Sequence, residues 1–144
     1  PYGFKCTLLR FFGAKIGIGV AIKPHVNIKY PWKLEIGDYS WIGENVWIDN
    51  LDTVIIGKHV CISQGALILS GNHDFTKPTF DLKVKPITIE DGAWIGAKSI
   101  VSQGVMVGSH AVLALSSVAS SDIDPYSIYR GNPAVKVKDR VIAP

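Results

Sequence analysis

The residues best suited to acid–base chemistry lie in one stretch, Ser70-Gly-Asn-His-Asp-Phe-Thr-Lys-Pro-Thr-Phe-Asp-Leu-Lys-Val-Lys-Pro86. Histidine has an unperturbed pKa near neutrality, so His73 is a candidate general base. Asn72, Asp74 and Asp81 in the same stretch could hydrogen-bond the hydroxyl groups of a substrate. The alternative is an ordinary loop histidine, and the length of the loop alone does not separate the two readings.

A metal site is not expected in this stretch. Zinc would need about three histidine, cysteine or carboxylate ligands. The stretch contains a single histidine, His73, and adding His59 from elsewhere in the chain would still leave the set of histidine ligands incomplete. The sequence also lacks the GxSxG, Walker and glycine-rich dinucleotide motifs.

Much of the chain follows a period of six residues. Each period has one aliphatic residue, and a small or β-branched residue follows it by four positions. This period predicts an all-β fold, a parallel β-helix whose coils each contain three short strands joined by tight corners. A β-sandwich also has short strands, but it would not keep a six-residue register over so many positions. The aliphatic positions are Ile16, Ile22, Ile28, Ile36, Ile42, Ile48, Ile56, Ile62, Ile68, Ile89, Ile95, Val101, Val107 and Leu113.

Three insertions interrupt the period, and each follows the third strand of a coil. Two residues are added after Ile28 and again after Ile48, whereas Ile68 and Ile89 lie 21 residues apart, which is 15 beyond the period. All three are therefore expected at one corner of the prism, with residues 70–86 as the longest loop. Inserts on one side of a solenoid often mark its binding face. Four polar residues near the smaller inserts could bind a hydroxylated acceptor or serve as turn residues: Asn27, Asp49, Asn50 and Asp52.

The two ends of the chain depart from the repeat. Phe4, Leu8 and Phe11 share one face of a predicted short helix. This helix is expected to cap the open end of the solenoid, and an interfacial membrane helix is the alternative. Because the chain opens with Pro1, we expect more sequence to precede it in the native protein. The expected parts are an N-terminal capping segment at 1–15, the β-helix at 16–128 and a basic C-terminal tail at 129–144.

Composition bounds the class of protein. Of the 144 residues, 47% are hydrophobic and 19% are charged, which suits one domain with a buried core. The net charge of +3 is mild and no basic cluster alternates with aromatic residues, so nucleic acid is not an expected partner. Cys6 and Cys61 form no CxxC pair, and no apolar run could span a bilayer. We expect a cytoplasmic protein, with peripheral association at the inner face of the membrane as an alternative.

Three segments resemble the hexapeptide-repeat O-acetyltransferases, whose fold is a left-handed parallel β-helix. They are the loop Ser-Gly-Asn-His73-Asp, the run Pro86-Ile-Thr-Ile-Glu-Asp-Gly-Ala-Trp-Ile-Gly-Ala97 and the tail Arg130-Gly-Asn-Pro-Ala134. With the repeats, the resemblance spans nearly the whole chain, and it is strongest to the colanic acid, or exopolysaccharide, biosynthesis acetyltransferases. The left hand comes from the resemblance alone, because crossover physics favours the right hand.

The resemblance implies transfer of an acetyl group from acetyl-CoA to a hydroxyl of a sugar or polysaccharide precursor. His73 would be the general base, and transfer would be direct, without an acyl-enzyme. The oxyanion needs a preorganised donor. The resemblance gives that role, or a contact to pantetheine, to the backbone N–H of Ala97, with Trp94 beside it. A packing role for Trp94 stays open, because Trp41 also precedes an Ile-Gly pair.

A homotrimer is also implied, in which neighbouring prisms share each active site. This chain departs from the family at Val135, where a basic residue usually follows Gly-Asn-Pro-Ala. A solvated basic terminus is therefore the alternative for the tail. The expected CoA contacts are Leu115 and Ser120 along its arm, and Arg130, Lys136, Lys138 and Arg140 at its phosphates.

Two other functions stay open at the level of sequence. One is a scaffold or binding module that keeps the prism without chemistry, and the His73 loop argues against it. The other is a metalloenzyme similar to the γ-class carbonic anhydrases, which share this fold. The missing histidine ligands disfavour that reading.

Overall fold

Short strands recur in groups of three and stack into three sheets, so the chain forms the β-helix that its period predicts. The computed structural model describes residues 2–144, and Pro1 lies outside them. Strands are numbered in chain order, and successive coils pair in parallel. The first sheet contains β1 (Lys15–Ile16), β4 (Leu34–Ile36), β7 (Val54–Ile56), β12 (Ile87–Ile89) and β15 (Met106–Val107).

The other two sheets complete the triangular coil. The third sheet contains β3 (Asn27–Ile28), β6 (Trp47–Asp49), β9 (Leu67–Leu69), β14 (Ile100–Val101) and β17 (Val118–Ala119). The second sheet contains β2 (Ala21–Ile22), β5 (Trp41–Ile42), β8 (Cys61–Ile62), β13 (Trp94–Ile95), β16 (Val112–Leu113), β18 (Ser127–Gly131) and β19 (Ala134–Asp139). Residues 129–139 of the predicted tail thus continue this sheet, and β19 pairs antiparallel with β18.

The register places equivalent residues of the repeat above one another. In the second sheet, Ile42 pairs with Ile62, Ile62 with Ile95 and Ile95 with Leu113. Every predicted aliphatic position is buried except Ile28, which is half-buried in the first coil. One large side chain per strand therefore fills the interior, which explains why the period is six.

Neighbouring coils approach closely at the corners. A Cβ on Gly96 would lie 2.5 Å from the backbone nitrogen of Leu115 in the next coil. Lys98 and Ser116 turn the chain with φ angles of 55° and 54°, in the left-handed region that L-residues rarely occupy. The close approach thus requires a glycine at Gly96, whereas the positive-φ positions accept larger side chains such as Lys98 and Tyr39.

All three insertions lie at the corner where the third sheet passes to the first, as the sequence predicted. We call this the insert corner; it contains residues 29–33, 50–53 and 70–86. A 3₁₀ turn, Pro31–Lys33, forms in the first insert, and a hairpin of β10 (Gly71–Asp74) and β11 (Asp81–Val84) forms in the third. The Ala97 corner, between the second and third sheets, contains residues 43–46, 63–66, 96–99 and 114–117. The His110 corner joins the first and second sheets.

Both ends of the solenoid are tied to its coils. Helix α1 (Tyr2–Phe11) contacts β1 and β2, and Cys6 and Ala14 join the buried core. At the other end, Arg140 donates from Nη1 to the carbonyls of Gly92 and His110, at 2.9 and 3.0 Å. Among residues 2–144 there is no helix with the length and apolar character needed to cross a bilayer.

An Ile95→Ala variant is expected to lower the free energy of unfolding by about 2–5 kcal/mol, because it leaves a cavity in a fully buried strand. Ile95 is 0% exposed. Denaturant-induced unfolding measures the loss. Ile18→Ala is the matched control: Ile18 is 62% exposed, so its loss should stay within about 0.5 kcal/mol. Equal losses in the two variants would contradict the inward register.

Candidate active site

The longest insert forms an antiparallel hairpin on the third coil. In it, Gly71 pairs with Val84 and His73 with Leu82. Gly71 is buried, and a Cβ there would lie 2.7 Å from Leu51 of the second insert. The hairpin is thus fixed at its base to the stacked inserts, and β10 holds His73 one strand residue before its end.

The His73 ring is oriented by a backbone carbonyl. Nδ1 of His73 lies 2.8 Å from the carbonyl oxygen of Phe80. Because a carbonyl only accepts, Nδ1 must carry the hydrogen, and Nε2 of the neutral ring is left with a lone pair. The side chain is exposed, and within residues 2–144 Nε2 has no hydrogen-bond partner. This is the arrangement that a general base requires.

The carboxylates beside His73 are occupied by the hairpin itself. Hydrogen bonds from the hydroxyl and N–H of Thr76 hold the pKa of Asp74 below its ordinary value, and Lys83 adds a weaker contact at 3.6 Å. The pKa of Asp81 is lowered chiefly by the hydroxyl of Thr79, and then by Lys77. Both carboxylates are therefore charged at neutral pH and stabilise the loop that holds His73. Asn72, the third polar residue predicted to contact a substrate from this loop, accepts a 2.8 Å hydrogen bond from the N–H of His73.

The two polar residues of the second insert differ in accessibility. Asn50 is fully buried, donates both amide hydrogens to the carbonyls of Tyr30 and Lys33, and accepts from the N–H of Tyr30. It binds the first insert to the second, which leaves no amide hydrogen for an acceptor. Asp52 is half-buried and accepts from the N–H of Thr53 at 2.7 Å.

Several of the predicted CoA contacts meet at the Ala97 corner. The carbonyl of Ala97 accepts from the N–H of Ser116 at 2.8 Å, which places it directly below Leu115 in the next coil. Leu115 is 71% exposed. The hydroxyl of Ser117 accepts from the N–H of Gly131 at 3.0 Å, so the tail begins beside the same corner. The N–H of Ala97 donates to no atom of residues 2–144, and it is therefore available to a ligand.

Trp94 stands on the outer face of the second sheet, next to this corner. Its ring is 47% exposed, and its indole N–H donates to the hydroxyl of Ser63 at 2.8 Å. Trp41 lies two coils below, with Cys61 between them in register. The hydrogen bond thus fixes the orientation of the Trp94 indole on the surface, and the ring does not pack in the core.

The remaining predicted CoA residues are spread over three places. Ser120 follows β17 and lies at the insert corner, on the opposite edge of the third sheet from Ala97. Lys136 and Lys138 are exposed on β19, and a 2.8 Å contact with Asp139 raises the pKa of Lys136. Arg130 is exposed at the end of β18. Arg140 donates to two carbonyls at the His110 corner, as described above, on the opposite edge of the second sheet from the Ala97 corner.

Two separate edges of the prism therefore carry the candidate chemistry. His73 lies at the insert corner, whereas Ala97 and Leu115 lie at the Ala97 corner. The strand between these corners in the third coil runs from Ala66 to Ser70, about 13 Å at roughly 3.3 Å per residue. Within one chain, the His73 hairpin begins at one end of this strand and the Ala97 corner lies at the other. In the described part of the chain, no group of three or more histidine, cysteine, aspartate or glutamate side chains is placed to hold a metal ion.

Similar proteins identify the family. The acetyltransferase WcaF of Escherichia coli (strain K12), whose name assigns it to colanic acid biosynthesis, is 39% identical over 140 residues, 97% of this chain and 77% of its own length. A hexapeptide-repeat acetyltransferase of Vibrio cholerae has a solved structure with a TM-score of 0.92 and 26% identity, covering 99% of this chain and 82% of that one. The chain belongs to the hexapeptide-repeat acetyltransferases. No family model matches the sequence.

This acetyltransferase has further relatives. The galactoside O-acetyltransferase of Escherichia coli (strain K12) is 26% identical over 136 residues, 92% of this chain and 67% of its own length. A structure from Vibrio cholerae O1 biovar eltor is in complex with acetyl coenzyme A. It has a TM-score of 0.91 and 25% identity over 99% of this acetyltransferase and 79% of that chain.

Sequence reasoning missed two residues that orient side chains of the candidate site in this acetyltransferase. The carbonyl of Phe80 sets the His73 tautomer, and the hydroxyl of Ser63 fixes Trp94. Phe80 adopts a φ of 47°, a rare conformation for a bulky residue, and no sequence pattern predicts this conformation. The period could have located Ser63, because it occupies the coil position directly below Gly96 in the repeat.

Proposed function

We propose that the chain is an O-acetyltransferase that moves an acetyl group from acetyl-CoA to a hydroxyl of a sugar or polysaccharide precursor, with His73 as general base. Acetyl-CoA is the acyl donor. The observation that carries the proposal is the 2.8 Å contact between Nδ1 of His73 and the carbonyl of Phe80. It leaves Nε2 basic, accessible and in a fixed orientation, as proton abstraction from a hydroxyl requires.

The reaction is a direct displacement. Nε2 of His73 takes the proton of the acceptor hydroxyl as its oxygen attacks the thioester carbonyl. The N–H of Ala97 donates to the oxyanion that develops. The tetrahedral intermediate collapses with cleavage of the carbon–sulfur bond, and the departing thiolate of CoA receives the proton from the His73 imidazolium. No acyl-enzyme forms, and Cys61, in the second sheet, takes no part.

The active site is shared between subunits of a homotrimer. The base must lie within about 2.6–3.2 Å of the hydroxyl that it deprotonates, and that oxygen must reach the carbonyl bound at Ala97. Within one chain the two corners stand about 13 Å apart along the strand, which is several times this reach. A neighbouring prism that presents its Ala97 corner to the His73 hairpin satisfies the requirement.

CoA lies along the Ala97 corner of one protomer. Trp94 and Leu115 present exposed apolar surface to the pantetheine arm, and Ser120 of the neighbouring protomer faces the arm from the insert corner. Arg130, Lys136 and Lys138 supply cations for the phosphates. The free thiols of Cys6 and Cys61 and the use of acetyl-CoA support a cytoplasmic reaction.

The acceptor is a carbohydrate that lies against the insert corner. Asp52 and Asn72 are the polar side chains there that are accessible to its hydroxyls. Asp74 and Asp81 contribute through the shape and charge of the hairpin. The names of the relatives WcaF and galactoside O-acetyltransferase support a sugar-containing acceptor.

Turnover of acetyl-CoA against a panel of sugars, nucleotide sugars and lipid-linked oligosaccharides tests the proposal. The expected result is CoA release matched by O-acetylation of at least one carbohydrate, with background hydrolysis alone when no acceptor is present. Binding of CoA without transfer to any carbohydrate would exclude the carbohydrate acceptor. Absence of CoA binding would favour a scaffold instead.

A further inference from the structure

The N-terminal end of the solenoid carries a surface of exposed aromatic residues. Phe4, Leu8 and Phe11 lie on the outer face of α1 and are 68%, 46% and 82% exposed. Phe12 follows them at 52%, and Trp32 of the first insert at 61%. The backbone of Trp32 lies against Gly13, where a Cβ would come within 3.3 Å of the Trp32 Cα. We call these five residues the aromatic patch.

The packing of α1 does not account for the patch. The inner face of the helix presents Cys6, which is 4% exposed, and Leu9, which packs against the core. Lys5 donates to the carbonyl of Lys23 at 2.9 Å, and Arg10 to those of Ile16 and Gly17. The helix therefore covers the first coil with one face and keeps a second apolar face exposed. A helix that only capped the solenoid would have polar residues there.

The charge of the chain is concentrated at the same end. Residues 1–33 contain six basic residues and no acidic one, whereas residues 34–144 contain nine basic and twelve acidic residues. The first part thus carries +6 and the rest −3, which together give the net charge of +3. The basic residues are Lys5, Arg10, Lys15, Lys23, Lys29 and Lys33.

We propose that this end of the solenoid docks on an anionic lipid bilayer. Aromatic and leucine side chains beside basic residues are the composition that binds the interface between headgroups and acyl chains. Lysine and arginine stems extend their charges to anionic headgroups while their methylenes stay against apolar surface. An acidic protein partner would match the charge but would not need four bulky apolar groups projecting from one helix end.

Docking in this orientation places the site near the membrane, a consequence that rests on the proposed function. Trp32 and the His73 hairpin share the insert corner, two coils apart. At about 4.8 Å per coil, the base of the hairpin lies roughly 10 Å further along the axis. The acceptor would then be a saccharide carried on a membrane lipid.

Vesicle flotation of the full chain tests docking without reference to acetyl transfer. Wild-type protein is expected to float with vesicles of phosphatidylglycerol and phosphatidylcholine, and much less with phosphatidylcholine alone. The double variant Phe4→Ser/Phe11→Ser should bind about 100-fold more weakly, about tenfold per phenylalanine. Val141→Ser is the control, because Val141 is 91% exposed in the C-terminal tail, and it should bind like the wild type.

Charge variants test the electrostatic part separately. The double variant Lys15→Gln/Lys29→Gln should lose about 30-fold in partitioning to anionic vesicles, since each basic residue near the surface contributes about a factor of five. Lys98→Gln, an exposed lysine on the fourth coil, should lose less than about twofold. Circular dichroism confirms that the variants are folded.

Wild-type protein that does not float, or Phe4→Ser/Phe11→Ser protein that floats normally, would overturn the proposal. If Phe4→Ser/Phe11→Ser lost self-association but still floated with the vesicles, the proposal would also be overturned, because the patch would then contact a second copy of the chain.

Discussion

A His73→Ala variant is expected to lose about 10²–10⁴-fold in kcat for acetyl transfer, because it removes the proposed general base. The KM for acetyl-CoA should stay near the wild-type value, since in the proposed site His73 acts on the acceptor hydroxyl, whereas the Ala97 corner and the tail cations hold CoA. Initial rates of CoA release at saturating acceptor measure both quantities. His59→Ala is the matched control: His59 is another exposed histidine, stacked on Tyr39 at 5.4 Å, and its loss should change kcat less than about threefold.

A structural role for His73 predicts a different result, because the ring also holds the hairpin through Phe80. In a His73→Asn variant, an amide N–H takes the place of the Nδ1 hydrogen without supplying a base. The account predicts that His73→Asn is as inactive as His73→Ala. Recovery of activity in His73→Asn, or full activity in His73→Ala, would contradict the general-base role.

Mixing two inactive variants is expected to restore activity. The first is His73→Ala and the second is Leu115→Glu, which places a negative charge on the exposed CoA corner. A working site then needs His73 from one subunit and Leu115 from the next. Equal amounts, mixed and reassembled at random, should recover about one quarter of the wild-type activity per subunit, one half times one half.

The control for this experiment is a mixture of His73→Ala with His73→Asn, which should stay inactive because both variants lack the same half of the site. Sedimentation equilibrium should show that each variant and each mixture is trimeric. No recovery in the first mixture, with trimers present, would mean that each site lies within one chain.

Most of the fold could be predicted because the repeat is encoded by single residues. Each inward aliphatic residue, such as Ile62 or Ile95, fills one side of a coil. At corners such as Gly96 the next residue must be small, because the next coil lies within van der Waals distance. The stacking of the three inserts followed from counting. The left hand of the β-helix did not, because the period is the same for either hand.

The candidate site could be predicted only where the residue type of a side chain itself suggests the chemistry. His73 was located by its residue type and by the length of its loop. The pairing of β10 with β11 was not, because Leu82 and Val84 alternate with polar residues in β11, whereas Gly-Asn-His-Asp in β10 has no apolar side chain to match them. Asn50 shows the converse: its type suited an acceptor ligand, yet the structure buries it between two inserts, where its amide replaces missing backbone hydrogen bonds.

The most direct test of the account is a crystal structure of the protein with CoA bound. The account predicts that the CoA sulfur lies within about 6 Å of Nε2 of a His73, close enough for one acceptor hydroxyl to bridge base and thioester. It also predicts that this His73 and the Ala97 corner contacting the pantetheine belong to different subunits. A CoA sulfur held more than about 10 Å from every His73, or a His73 and an Ala97 of the same chain around one thioester, would contradict it.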